Sequence, residues 1–373
     1  MMKKPRLTFL TAALLLFLAA CSSLAPAPEG VKDNNSNKEY PPVQAEIPFL
    51  VYRAADGDSG TAKLGTWDLS RSEIAYGDDL YSYSGYHGSP LYWSGTTLVL
   101  DRQNTVPVSG SDHGYMLQLT DVKQMPEEQE YVFKGFEVAG SGNEENPEYT
   151  IQDQEGSYKL TQNELPAFTD RRFYLANATA TKDNRGFRLV FTAAPKVFKP
   201  GEGWIVVVDY SKTSSAFSVT EFSATGLPFG DMIVSPGNSI LDGDRLYVWR
   251  SRDFGYFDLK KETFVTQSAI YKDIQDFLPD RKPNPNVDPQ IIPVGHVGNL
   301  LLLYDPTLYF DENTSGAVVY AYNGETPAGK LLIKGDQLTI YDSNNKQVGE
   351  PQAFDYTLMG SEQFSFPKVM GDK

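Results

Sequence analysis

The chain has 373 residues, with 33 Lys and Arg against 48 Asp and Glu for a net charge of −15, and it holds one cysteine and three histidines. That balance argues against nucleic acid and against adhesion to anionic lipid, because both are recognised through basic patches. A single thiol excludes an intramolecular disulfide and a cysteine-held metal cluster, while 22 Tyr, 21 Phe, 31 Gly and 24 Pro describe short strands joined by turns.

The first element is a basic head, Lys3, Lys4 and Arg6, followed by an uncharged run from Leu7 to Ala20. Such a run makes about 21 Å of helix at ~1.5 Å per residue, short of the ~30 Å hydrocarbon core. It predicts a removable secretory signal over residues 1–20, not a permanent span. An ordinary cleavage site wants small residues one and three positions before the cut. Cutting after Ala20 puts Leu18 at the outer position, and cutting after Ala27 leaves Pro28 next.

The run ends Leu18-Ala19-Ala20-Cys21, which resembles the lipobox of bacterial lipoproteins. The resemblance implies lipidation of the Cys21 thiol, cleavage just before it and acylation of the new amine. The partner at this end is then the membrane, reached through two or three acyl chains that together anchor stably. Ser22 stands where lipoproteins retained in an inner membrane commonly carry Asp, so the resemblance favours the outer membrane in a Gram-negative host. Removing the signal leaves 30 basic against 48 acidic residues, −18 in all. Residues 21–46 are rich in Ser, Pro, Asn, Lys and Glu, with Pro26, Pro28, Pro41 and Pro42, and are expected to form a flexible linker.

Residues 47–373 form the expected folded body, ample for a sizeable core. Several segments share one pattern: an apolar strand closing on Asp or an aromatic, a polar turn, then another strand. Leu64–Leu69 precedes Ser70–Glu73, and Trp204–Tyr210 precedes Ser211–Thr213. Asp244–Trp249, a turn at Arg252-Asp253 and Phe254–Leu259 precede Lys260–Thr263, and Leu338–Asp342 precedes Ser343–Lys346. The Asp residues (Asp68, Asp209, Asp258, Asp342) are placed to accept hydrogen bonds from amides of the following turn. This unit resembles the blades of bacterial quinoprotein-like and YVTN-like repeat proteins. The resemblance implies an all-β fold, a β-propeller of six to eight blades with seven favoured at ~40–50 residues each. A β-barrel or β-sandwich surface lipoprotein is the alternative. Ring closure is expected to pair Ile47–Arg53 with a strand near Gln363–Pro367. One segment breaks the pattern: Ile270, Ile274, Phe277 and Leu278 fall at helical spacing within Ala269–Leu278, and Pro279 begins a proline-rich loop to Pro293.

The histidines lie in glycine-containing segments, Tyr86-His87-Gly88, Asp112-His113-Gly114 and Gly295-His296-Val297-Gly298. If His87, His113 and His296 converged on one propeller face they could ligate a metal or act as acid and base, but no ligand spacing supports this and turn histidines are ordinary. Asp311-x-Asn313-x-Ser315-Gly316 matches half a calcium loop, yet Tyr322 occupies the position of the bidentate Glu, so a hairpin turn is expected. Asp56–Gly60 is likewise a turn. Ser111, Asp112 and His113 are chain neighbours, which rarely builds a triad. No phosphate-binding loop or dinucleotide fingerprint is present, and no cofactor is expected. The aromatic stretch Tyr81–Trp93, with Tyr81, Tyr83, Tyr86, His87, Tyr92 and Trp93, is the candidate binding surface, since such rings give rigid contact area for sugars or proteins. The function expected is non-enzymatic binding of a protein or glycan partner at the cell envelope. A polysaccharide-acting propeller enzyme and a barrel-type receptor are the alternatives.

Overall fold

Runs such as Trp204-Ile205-Val206-Val207-Val208 and Leu300-Leu301-Leu302-Leu303 have no polar face. Strands of this kind must be covered on both sides, as happens when sheets stack face to face. The computed structural model describes residues 39–360, apart from 55–58, 85–89, 95–96, 101–103, 112–113, 118–129, 134–135, 144–145, 162, 165–170, 182, 198, 235–238, 251–252, 278–290 and 312–313.

The described strands form six antiparallel sheets. Blade one contains β1 (Glu46–Ala54), β2 (Ser59–Asp68) and β3 (Glu73–Ser84). Blade two is β4 (Pro90–Ser94), β5 (Thr97–Leu100), β6 (Asn104–Ser111) and β7 (Gly114–Leu117). Blade three is β8 (Glu130–Phe133), β9 (Phe136–Asn143), β10 (Asn146–Asp153) and β11 (Ser157–Leu160). Blade four is β12 (Arg171–Ala180), β13 (Gly186–Pro195), β14 (Trp204–Ser211) and β15 (Ala216–Ser223). Blade five is β16 (Ser239–Asp242), β17 (Arg245–Arg250), β18 (Asp253–Asp258) and β19 (Thr263–Thr266), followed by helix α1 (Ser268–Phe277). Blade six runs through β20 (Ile292–Val297), β21 (Leu300–Asp311), β22 (Thr314–Asn323), β23 (Thr326–Lys334), β24 (Gln337–Tyr341) and β25 (Gln347–Ala353). Finally β26 (Thr357–Met359) returns to pair with β1, completing blade one in the order β26-β1-β2-β3.

Within each sheet the strands follow chain order, and the first strands of successive sheets lie side by side: β4 against β8, β12 against β16, β16 against β20. That is the arrangement of a β-propeller, with the first strand of each blade innermost. Six blades fall within the expected range, and no seventh occurs among the described residues. The strands a seventh would use, β24 and β25, instead extend blade six to six strands. Closure uses β1 as expected, but its partner is Thr357–Met359, in the register Leu50↔Met359, Val51↔Leu358 and Tyr52↔Thr357. The segment Gln363–Pro367 lies outside the described residues. The helix matches its expected span to within one residue at each end.

The apolar runs are explained by alternation between two inter-blade cores. In β14, Val206, Val208 and Tyr210 join a core with blade three, whereas Ile205 and Val207 join one with blade five. In β21, Leu300 and Leu302 pack toward blade one, and Leu301 and Leu303 toward blade five and α1. Blades six and one approach closely: a Cβ on Gly329 would come within 2.9 Å of both Trp67 and Leu69. Tyr341 on β24 packs against the core that blade six shares with blade five. Helix α1 joins the same core through Ile270, Ile274 and Phe277, whose i, i+4, i+7 spacing makes one face.

The turn reading holds at three of the four Asp positions. The amides of Ser70 and Arg71 donate to Asp68 at 2.9 and 3.1 Å, that of Lys261 to Asp258 at 3.0 Å, and those of Asn344 and Lys346 to Asp342 at 2.9 Å each. The Ser70 hydroxyl, with help from Arg71, holds the Asp68 carboxyl down to about 2. Asp209 differs, because Arg188 on the neighbouring strand takes both its oxygens. In five hairpins the fourth residue after the strand is left-handed: Ser72, Asn184, Ser215, Glu262 and Asn345, at φ 52°, 56°, 50°, 56° and 62°. An L-residue there is strained by about 1–2 kcal/mol, partly offset in glycine by its backbone entropy. Glu262→Gly is therefore expected to stabilise by about 0.5–1 kcal/mol, read as a raised urea midpoint at unchanged slope. An unchanged or lowered midpoint would contradict the strain argument.

Candidate functional site

In an antiparallel blade the first-to-second and third-to-fourth turns share one face of the ring. On this turn face successive blades are tied by polar contacts. Lys212, after β14, reaches back to blade three, where its ammonium lies 2.5 Å from Asp153 and 2.9 Å from Glu155. Burial alone would raise the Asp153 carboxyl, but Lys212 and the amides of Glu155 and Gly156 hold it below its ordinary value. The same pair holds the Lys212 ammonium above its usual range.

Arg188 on β13 donates to both oxygens of Asp209, at 2.7 and 3.0 Å, and to Asp244 of blade five at 2.5 Å. This fork across two carboxylates, Asp209 foremost, raises the guanidinium further. Beside it, Thr181, Asp183, Arg185, Asp209, Ser211 and Phe217 line an open depression of about 390 Å³.

The next seam carries the one sequence-flagged histidine whose place is described. His296 on β20 stands against blade five, its ring centroid 5.4 Å from that of Tyr247. Its Nε2 is 3.9 Å from Asp242 Oδ2, too far for a hydrogen bond, and is buried without a partner. Burial pushes the imidazole below its ordinary value; Asp242 pulls it up and Arg245 pushes it down.

A second cluster joins α1 to blade six. Lys330 on β23 is fully buried, with its ammonium 2.8 Å from Asp273 of α1. It also donates to Asn345 and lies 4.9 Å from the centroid of the Phe277 ring. Tyr322 donates its hydroxyl to Asp273 at 2.7 Å, and Asn345 donates its amide at 3.1 Å. Burial pushes the Lys330 ammonium down, against the pull of Asp273, and pushes the Tyr322 phenol well up. A lowered lysine beside a carboxylate suits proton transfer in an open cleft. Here it is sealed and answered by groups of the fold, so it clamps the helix.

Of the other candidates, Cys21, Tyr86, His87 and His113 lie outside the described residues. Tyr81 and Tyr83 fall on β3, and Tyr92 and Trp93 on β4, but their side chains are outside the description. With His87 and His113 outside the description, the convergence of the three histidines is not tested, and no cluster of three or more metal-ligating side chains occurs among the described residues. Asp311 and Thr314 pair across the hairpin between β21 and β22, as expected of a turn. Arg188, Lys212 and Asp273 were not singled out by sequence, since each is an ordinary charge until the blades stack. Lys330 did carry a signal: it is the only charge within the apolar run Ala328–Ile333.

The sequence matches no protein-family model and no curated protein. Similar solved structures include the WD40 domain of SCAP from fission yeast, at 10% identity and TM-score 0.30 over 87% of this chain and 95% of that one. The AfRom2 CNH domain is similar at 7% identity and TM-score 0.26, over 76% and 96%. The β-propeller domain of Nup133 from Vanderwaltozyma polyspora is similar at 8% identity and TM-score 0.21, over 81% of each chain. The order and stacking of the six sheets, rather than these distant likenesses, is what establishes the propeller.

Proposed function

We propose that the protein is a lipid-anchored lipoprotein of the cell envelope, in the outer membrane where the host is Gram-negative, whose propeller binds a protein or glycan partner without chemical turnover. The observation that carries this reading is Leu18-Ala19-Ala20-Cys21, which places the chain's single cysteine at the end of a short apolar run and ahead of a polar spacer. The chain joins the folded body by Tyr40, whose backbone is held by Ser343 and Asn344, six residues before β1 begins at Glu46. A ring stapled by its own inter-blade contacts needs no disulfide, which suits a chain whose one thiol carries lipid. The open depression on blade four, with hydroxyls and carboxylates beside Tyr210 and Phe217, offers contacts of the kind a glycan or a mixed protein surface takes.

The test is Cys21→Ser expressed from the full gene. The wild-type chain is expected in the membrane fraction and in the detergent phase, with incorporation of labelled palmitate. The variant is expected to lose the label and to keep residues 1–20, running larger than the processed wild-type chain. Continued palmitate incorporation by Cys21→Ser, or processing to the wild-type size, would sink the lipoprotein reading.

A further inference from the structure

We infer that the seam between blades five and six is an acid-sensitive joint, in which proton uptake by His296 loosens β20 from the β16–β17 turn while the two seams before it, between blades three and four and between four and five, stay clamped. The inference rests on a contrast along the turn face. Blades three and four are joined through Lys212, and blades four and five through Arg188. Both bases stay charged throughout the physiological range. Blades five and six meet instead at a histidine, the one side chain whose unperturbed charge changes between pH 5 and 8.

The geometry at that seam suits the neutral ring. Its Nε2 is buried and unpaired, and the 3.9 Å to Asp242 is too long for a hydrogen bond. From blade five three ionisable groups face it: Asp242 at the end of β16, and Arg245 and Tyr247 on β17. Asp242 would welcome an imidazolium, but its side chain is 53% exposed and its attraction is screened. Arg245 would repel it, and the Tyr247 ring offers no acceptor in place of water. Asp244, next along the turn, is already taken by Arg188. On blade six, His296 pairs across the sheet with Leu301, a buried apolar residue.

The sign comes from linkage. The folded state holds the imidazole below its ordinary value, so the unfolded or locally opened chain takes up the proton first. Stability from this site is intact above about pH 6.5 and falls as pH drops below it toward the folded value.

The experiment uses the full chain in neutral detergent with ¹³C-labelled histidine. The resonance absent from His296→Gln is expected to titrate with a midpoint below about 6.5. Asp242→Asn, which removes the favourable charge, is expected to lower that midpoint further. Between pH 7.5 and 5.5, amide exchange corrected for intrinsic rate should rise in β16, β17 and β20 and stay unchanged in β13 and β14. Wild type should lose about 2 °C more in Tm than His296→Gln over the same interval. A midpoint at or above about 6.5, or a variant that tracks wild type in exchange and melting, overturns the inference. Should His296→Gln not fold, the resonance displaced in Asp242→Asn identifies His296, and the wild-type titration decides.

Discussion

Lys330→Met is expected to lower the unfolding free energy by about 3 kcal/mol, the low end of the cost of removing one partner from a buried ion pair. The low end applies because Asp273 keeps 18% of its side chain exposed and retains Tyr322 and Asn345 as donors. Most of the loss is the carboxylate left facing an apolar wall, so removing its charge should recover much of it. Lys330→Met with Asp273→Asn is expected to lie within about 1 kcal/mol of wild type, giving a coupling of at least about 2 kcal/mol in the double-mutant cycle. Urea unfolding of the four chains measures this directly. Additive single effects would show that the ammonium and the carboxylate do not depend on one another.

Lys330→Arg should not rescue the site. Its planar fork needs in-plane acceptors, whereas the ammonium sits above the Phe277 ring among acceptors spread around a point charge. The helix side of this clamp shows why it exists. Three apolar residues of α1 hold it against the sheet, but hydrophobic contact is not directional. The Asp273 contacts supply the register that the apolar face does not.

Much of the fold was legible because propeller blades are local: each hairpin writes its own apolar run, closing Asp and polar turn. Asp68, Asp258 and Asp342 fulfil that pattern through turn amides. Asp209 does not, because its fate depends on Arg188 and the approach of blade five. Blade count was less legible, since nothing local in Leu338–Tyr341 says whether that strand opens a blade or widens one. The same limit governs the seams. His296 was visible as a residue type, but its meaning comes from Asp242, Arg245 and Tyr247, which stacking brings to it. The anchor is legible for the opposite reason, since a lipobox is a linear signal.

Leu358→Asp is expected to open the ring. β26 is only three residues long, yet it joins the C-terminal end of the described chain to β1, and its central residue, Leu358, is 6% exposed in the core between blades one and six. Leu358→Ala should lower stability by about 2–3 kcal/mol through lost burial and a residual cavity. An aspartate adds an unpaired buried charge, which the short pairing cannot hold. Once β26 lifts, β1 shows an open inner edge along Leu50, Val51 and Tyr52, and such an edge recruits other chains. Loss of the cooperative melt, together with light scattering that rises with protein concentration, is therefore expected of Leu358→Asp and equally of a chain ending at Asp355. The control is the same charge on an edge built to face water: Thr220→Asp on the exposed outer strand β15 should shift stability by no more than about 0.5 kcal/mol. If Leu358→Asp melted cooperatively within a few degrees of wild type, the ring would be held by its inter-blade cores alone, and the three-residue pairing would be dispensable.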